Sequence, residues 1–183
     1  KSSAASDVYK RQVIFFVPDP KKGVTEMARV TKPGGILAAY AWDVISGGLP
    51  MEPMHKIMRE MGIKYPLPPS IEASQKSEMK KLWKNIGMKE VETSTFHVER
   101  SFKSFEEYWA ISSLGPSVIG ALNELPSEVV DDIKSKLNET LERDKDNKIV
   151  SRAFANAVKG IKTAGLAQNL SLIHISEPTR RKR

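Results

Sequence analysis

The spacing of apolar residues along the chain predicts alternating helices and strands. After Asp19-Pro20, a pair suited to a helix N-cap and first turn, apolar residues recur at helical spacing until Pro33-Gly34-Gly35 ends the helix. Residues 36–42 then form an uninterrupted apolar run, which is typical of a strand buried on both faces. A helix, a two-glycine turn and a buried strand together make half of a βαβ unit.

Further apolar stripes and β-branched runs predict the remaining elements. Helices are expected around residues 54–61, 79–86, 105–111 and 130–141, the first of them in a helical insert at about 51–72. Segment 91–98 predicts a strand with a bulge or an edge position, because its alternation is imperfect. In the last predicted strand, 149–158, three alanines share one face and bulkier residues share the other.

Length and composition fit one globular domain. The chain has 183 residues, of which 40% are hydrophobic and 28% charged, enough for a single core. No apolar stretch approaches the roughly 18 residues of a membrane span, so we expect no membrane association. The absence of cysteine excludes disulfides and cysteine nucleophiles and fits a reducing compartment, so a cytoplasmic location is expected. His55 and His97 lack a second ligand at metal-binding spacing, so no metal site is predicted.

The net charge of +7 is concentrated at the two ends of the chain. Residues 1–12 contribute +2 and residues 173–183 contribute +3, which leaves +2 for the 160 residues between them. Nucleic-acid binding needs Lys and Arg clustered on a folded face, where they displace counterions from phosphates. The terminal segments lack a hydrophobic pattern, so their basic residues are not expected to lie on a folded face. We therefore expect no nucleic-acid partner.

Both terminal segments resemble peptides translated from sequencing-adaptor DNA. The similarity covers residues 2–12 at one end and residues 171–180 at the other. Ordinary polar tails are the alternative, since chain ends are commonly loose. We favour the first interpretation because both ends match at once, and we expect residues 1–12 and 173–183 to be non-native tails on a partial domain, 13–172.

Three segments carry a resemblance to a known family: residues 16–20, 26–35 and 38–43, which read FVPDP, EMARVTKPGG and AAYAWD. They resemble the small-molecule branch of the class I S-adenosylmethionine-dependent methyltransferases, in which such a Pro-Gly-Gly turn leads into the fifth strand of a doubly wound sheet. Weaker similarity continues through residues 86–91 and 105–109 to about residue 162. The resemblance implies an α/β fold: the C-terminal part of a Rossmann-like sheet, about three strands with flanking helices. It also implies that the last strand runs antiparallel between the other two.

The cofactor-binding half of that family has no counterpart in the sequence. The 11 glycines include no G-x-G pattern of the kind that follows the first strand, and we detect no strand before residue 13. We therefore expect that this chain is a fragment and is inactive by itself. Its intact parent is expected to use S-adenosyl-L-methionine. One edge of strand 36–42 should be unpaired, and a long apolar edge promotes association, so we expect poor solubility.

The candidate site residues are aromatic or acidic and most of them follow from the resemblance. Phe15 and Phe16 occupy the family's cofactor-binding segment, although packing against the helix after Asp19 is the alternative we favour. Substrate-binding candidates are the residues at or after a strand's carboxyl end and one aromatic pair: Tyr40, Trp42, Asp43, Tyr108 and Trp109. Core packing explains the aromatic members equally well, and the catalytic residues cannot be identified from the sequence.

Two other function classes fit the sequence less well. A fragment of a nicotinamide-dependent oxidoreductase would contain a similar helix–turn–strand corner, because every doubly wound sheet needs one. A helical binding module without enzymatic activity could also contain a Pro-Gly-Gly turn. The expected partner of the parent enzyme is a small-molecule substrate, and the sequence does not define an oligomeric state.

Overall fold

Four strands and six helices make up residues 9–11 and 14–163, the part of the chain that the computed structural model describes. The strands are β1 (Tyr9–Arg11), β2 (Ile36–Trp42), β3 (Lys89–Phe102) and β4 (Ile149–Ile161). The helices are α1 (Pro20–Val30), α2 (Glu52–Glu60), α3 (Lys76–Asn85), α4 (Phe105–Ser112), α5 (Ile119–Asn123) and α6 (Ser127–Thr140). A 3-10 helix, Ile71–Ser74, precedes α3. No helix in these described ranges is long and apolar enough to cross a membrane.

The strands form one sheet in the order β1-β2-β4-β3. β4 runs antiparallel to both of its neighbours, so that Ala155 lies opposite Trp42 on one side and opposite Phe96 on the other. The predicted α/β fold is therefore confirmed, and so is the expected position of the last strand. The irregular start of β3 is also confirmed, because its register with β4 shifts between Lys89 and Glu92.

β1 is an element that the sequence did not predict. It pairs in parallel with β2 from Ala38 to Tyr40. The expectation that no strand precedes residue 13 is therefore wrong, and one edge of β2 is unpaired over fewer residues than expected. A strand of three residues, two of them charged, leaves no detectable hydrophobic pattern, which explains the error.

The corner between α1 and β2 depends on its glycines. The Asp19 carboxylate caps the start of α1 by accepting a hydrogen bond from the Lys22 amide at 3.0 Å. At the other end, Gly34 has a φ of +76°, in the region that disfavours a side chain. A Cβ on Gly35 would lie 2.9 Å from the Lys32 carbonyl oxygen. A side chain at position 34 would therefore be strained by the backbone conformation, and one at position 35 would collide with the backbone of the turn.

Lys162 fastens this corner to the end of β4. Its side chain is 3% exposed, and its ammonium group donates to the carbonyl oxygens of Ala28 and Thr31 at 2.6 Å and of Arg29 at 3.2 Å. These carbonyls lie at the end of α1, where the helix leaves acceptors unpaired and carries negative partial charge. The buried lysine thus supplies a charged donor to the carbonyls of Ala28 and Thr31 at the buried side of this helix terminus.

Two hydrophobic clusters divide the core. The first lies between the sheet and the two helices α1 and α3, where Val24, Ala28, Met79 and Trp83 pack against β2. The Trp83 indole donates to the Leu37 carbonyl at 2.9 Å, which satisfies its buried N–H. The second cluster joins α2, α4, α5 and α6 to the far ends of β3 and β4. The predicted cap of α4 is present, since the Glu107 amide donates to the Ser104 hydroxyl at 3.3 Å.

A buried histidine connects the helices of the second cluster. His55 on α2 is 1% exposed and its Nε2 lies 2.9 Å from the Ser117 hydroxyl. Its ring stacks on Tyr65 with the ring centroids 4.3 Å apart. Burial lowers the pKa of His55; the Glu52 carboxylate, 4.0 Å from Nδ1, opposes this change and the Arg59 guanidinium reinforces it. The neutral ring is therefore the form that fits the folded state.

We predict that Lys162→Met lowers the free energy of unfolding by about 1–3 kcal/mol, because buried carbonyls at the end of α1 lose a charged donor. Urea denaturation followed by circular dichroism measures the change. Lys159→Met, near the end of β4, is the matched control, since the Lys159 ammonium is exposed and pairs only with Glu92 at 3.1 Å among the described residues. Equal losses in the two variants would contradict the capping role.

We also predict that stability falls as the pH drops below about 6.5, the ordinary pKa of histidine. His55 has a lowered pKa in the folded chain, so the unfolded chain binds the proton more readily in this window. Urea midpoints at pH 7.5 and pH 5.5 should differ less in His55→Gln than in the unsubstituted chain. His97→Gln, at an exposed position on β3, should keep the original difference.

Candidate functional site

A groove runs along the sheet face opposite α1 and α3. Tyr40 and Trp42 of β2 form one wall, and Phe96 and Val98 of β3 form the other. The floor between them is β4, whose small side chains leave a cavity of about 590 Å³. Phe96 is 57% exposed and Val98 is 47% exposed, so the β3 wall is open to solvent, whereas Tyr40 and Trp42 are half-buried. We call this cavity the sheet groove.

The groove's floor depends on the alternation of side chains along β4. The predicted small-residue face of this strand supplies Ala155 and Ala157 to the groove, while Val158 faces the core under α3. At one end, the Lys159 ammonium pairs with the Glu92 carboxylate at 3.1 Å. The sheet groove is thus an apolar channel closed at that end by an ion pair.

A second cavity continues the groove past the carboxyl end of β2. β3 and β4 remain paired beyond Trp42, as far as Phe102 opposite Ile149. Here a cavity of about 270 Å³ lies against α4 and the loop before α2. It shares Trp42 and Val98 with the sheet groove and is otherwise lined by residues that include Pro50, Met51, Arg100, Phe102, Ile111, Ser112 and Ser151. We call it the end pocket.

Two of the predicted site residues come together in the groove. Tyr40 and Trp42 are both half-buried, two positions apart on β2, so their side chains share its open face. Trp42 borders both cavities and stands at the carboxyl end of its strand, the edge at which open α/β sheets bind ligands. The position predicted for a substrate wall is therefore occupied by an available aromatic side chain.

Asp43, the next predicted residue, is buried and fully engaged by its neighbours. Its carboxylate accepts from the Asn156 side-chain amide at 2.8 Å and from the Ser46 backbone amide at 2.9 Å. The Gly48 amide donates to the Asp43 carbonyl, and a Cβ on Gly48 would lie 2.4 Å from the Phe154 carbonyl oxygen. Asp43 thus fixes the loop after β2 to β4, and it borders neither cavity.

The remaining predicted residues lie apart from the groove. Phe15 is buried in the first core cluster beside α1, in agreement with the packing alternative, while Phe16 is 57% exposed. Tyr108 is fully buried in the second cluster, where burial raises the pKa of its hydroxyl and Ser112 partly offsets this. Trp109 packs near Phe105, with the Lys134 ammonium 5.3 Å from its ring centroid. Their contacts with cofactor or substrate stay predictions.

The sequence did not single out the opposite wall of the groove. Phe96 and Val98 follow the same alternation as Ser94, so period-two spacing along β3 was a usable signal. Arg100 continues that series into the end pocket. No group of three His, Asp or Glu side chains among residues 9–11 and 14–163 is placed to hold a metal ion.

We predict that the exposed β3 wall makes the chain self-associate as its concentration rises, because apolar surface of this kind favours contact with more apolar surface. Phe96→Thr should shift sedimentation profiles toward monomer. Leu114→Thr removes an apolar side chain that is 65% exposed but lies in the loop between α4 and α5 and borders neither cavity, so it should change little. Monomeric behaviour of the unsubstituted chain at every concentration would contradict this prediction.

Comparison with known proteins gives one sequence match and several structural likenesses. A methyltransferase-domain family model matches residues 4–39, about a fifth of the chain. No curated protein matches the sequence. Similar solved structures include a Bacillus halodurans protein assigned as a methyltransferase and the YcgJ protein of Bacillus subtilis, at 18% and 15% identity. Another is phosphoethanolamine N-methyltransferase 2 of Haemonchus contortus in complex with S-adenosyl-L-methionine, at 17% identity.

The structural likenesses are partial. The three TM-scores are 0.47, 0.47 and 0.42, for alignments that cover 86%, 86% and 85% of this chain. The chain spans 69%, 63% and 33% of the lengths of those structures. Likenesses at this level bear on neither activity nor substrate. The sequence of residues 4–39 is nevertheless similar to a methyltransferase domain, which supports the predicted resemblance.

Proposed function

We propose that the chain is the C-terminal part of an S-adenosylmethionine-dependent methyltransferase that acts on a small molecule. The observation that carries this proposal is the antiparallel strand β4 between β2 and β3. The dinucleotide-binding sheets of oxidoreductases are mostly parallel at the corresponding place, with consecutive strands side by side. The topology therefore favours the methyltransferase interpretation over a nicotinamide-dependent one.

The described residues do not fit the cofactor on their own. S-adenosylmethionine carries ribose hydroxyls and an amino-acid group, which need carboxylates and backbone amides as partners. The sequence has no G-x-G loop. The nearby carboxylates are already engaged: Asp43 by Asn156, Glu92 by Lys159 and Glu99 by Arg152. Phe15 is buried in the core, which leaves Phe16 as the predicted cofactor residue with an exposed ring. The proposed function therefore assigns cofactor binding to the parent and inactivity to this chain alone.

In the parent's reaction, this chain contributes aromatic side chains that form one wall of the substrate site. Methyl transfer by in-line displacement requires the acceptor to be aligned with the donated methyl group, and rigid aromatic walls provide such alignment. Tyr40 and Trp42 stand on a paired strand rather than on a loop, so their positions are well defined. The sheet groove, of about 590 Å³, has the size of a site for a small molecule, and the end pocket adds about 270 Å³ beside it. This supports a small-molecule acceptor, and the lack of cysteine supports a cytoplasmic parent.

Calorimetric titration of the 183-residue chain with S-adenosyl-L-methionine tests the proposal that the parent binds the cofactor and this chain alone does not. We expect no measurable heat of binding up to millimolar cofactor, because the sequence has no G-x-G loop to hold the cofactor and the Asp43 carboxylate is buried and bound by Asn156. A parallel titration with NADH addresses the oxidoreductase alternative. Micromolar binding of S-adenosylmethionine would contradict the proposed inactivity of the chain, and micromolar binding of NADH would contradict the proposed enzyme class.

A further inference from the structure

The end pocket lies where a ligand would extend beyond the sheet groove. β2 ends at Trp42, opposite Ala155, while β4 and β3 continue to the pair Ile149–Phe102. The inner wall of the pocket is therefore built on paired strands, and α4 and the loop at Met51 form its other sides. Trp42 and Val98 border both cavities, so a molecule resting against Trp42 in the groove lies next to the pocket.

Arg100 is the cation of this pocket that no described acidic group neutralises. It forms no ion pair with any residue in the described part of the chain, whereas Glu99, which also borders the pocket, is bound by Arg152 at 2.9 Å. The Arg100 guanidinium carbon lies 4.7 Å from the centroid of the Phe102 ring. Phe102 is buried, so this cation–π contact rests on a rigid surface and orients the guanidinium.

The rest of the pocket is suited to an apolar group. Met51, Val98 and Ile111 supply aliphatic walls, and Trp42 supplies an aromatic one. Of the two serines that border the pocket, Ser151 already donates to the Pro50 carbonyl at 3.3 Å. The end pocket thus combines an apolar enclosure with one unneutralised guanidinium, which presents a planar set of donors matched to a carboxylate or phosphate.

We infer that the end pocket binds a small molecule with an apolar body and an anionic group, and that Arg100 receives the anion. This inference rests on the proposed function in one respect, namely that such a molecule would be the methyl acceptor. Arg100 is then a specificity-determining residue: it selects acidic apolar molecules over neutral ones of the same shape. The body of the ligand would lie against Trp42, toward the sheet groove.

Three ligands of matched shape test the inference: 4-phenylbutyrate, 4-phenylbutanamide and 4-phenylbutylamine. Each is titrated into the full chain at a concentration where sedimentation shows monomer, and binding is followed by calorimetry and by the NMR signal of the Trp42 indole. We expect the carboxylate to bind about tenfold more tightly than the amide, as for a charge-assisted contact, and the amine to bind most weakly.

Substitutions then assign the preference to one residue. Arg100→Met keeps the aliphatic stem and should abolish the preference for the carboxylate, while Arg100→Lys should retain part of it. Arg29→Met is the matched control, because Arg29 is exposed on α1 and pairs with Glu26 at 2.8 Å. Circular dichroism verifies that each variant is folded. The inference is overturned if no ligand binds, if acid and amide bind equally, or if Arg100→Met and Arg29→Met behave alike.

The proposed function is tested separately, because none of these titrations contains a cofactor. An anion preference that depends on Arg100, found together with a parent that transfers no methyl group, would refute the proposed function alone. A parent that transfers methyl groups, found together with equal binding of acid and amide, would refute this inference alone.

Discussion

The pairing of β4 with two strands at once is the constraint on which the rest of the structure depends. Its backbone hydrogen-bonds to β2 on one side and to β3 on the other, over seven and twelve residue pairs. The same strand supplies the alanine floor of the groove, the amide of Asn156 that holds Asp43, and the approach to Lys162. One antiparallel strand thus fixes the core, the loop after β2 and the end of α1 relative to one another.

Local sequence signals predicted most of this fold, because several of its elements are specified locally. The Pro33-Gly34-Gly35 turn, the Asp19 cap and the alternation along β4 each act within a few residues, and each has the predicted structure. β1 escaped prediction because its existence depends on the edge of β2 rather than on its own composition. Lys162 is a similar case: nothing near it in sequence shows that its ammonium will meet the end of a helix more than 130 positions away.

In the candidate site too, some residues could be predicted from local sequence and others depend on tertiary contacts. The uninterrupted apolar run predicted that β2 is buried on both faces, and this is wrong: Tyr40 and Trp42 are half-buried on the face that opens into the sheet groove. The carboxyl end of the strand was still a correct signal for Trp42, which borders both cavities. The same edge position suggested Asp43, but residue 43 points to the other face, where Asn156 binds its carboxylate. Tyr108 belongs to a core that forms only when four helices meet β3 and β4. Whether an aromatic residue packs or binds is therefore decided by tertiary contacts that no local pattern records.

The charged side chains beside the groove and the end pocket differ in whether an opposite charge pairs with them. Lys159 and Glu92 form an ion pair at one end of the groove, while Arg100 stands in the adjoining end pocket without an acidic partner among the described residues. A side-chain pair in this setting contributes little to stability, since both groups remain largely hydrated. The pair matters instead for orientation, because a ligand that extends from the groove into the end pocket meets a neutralised ion pair at one end and a cation at the other. Apolar walls hold many molecules equally well, so the orientation of a bound molecule depends on this difference in charge.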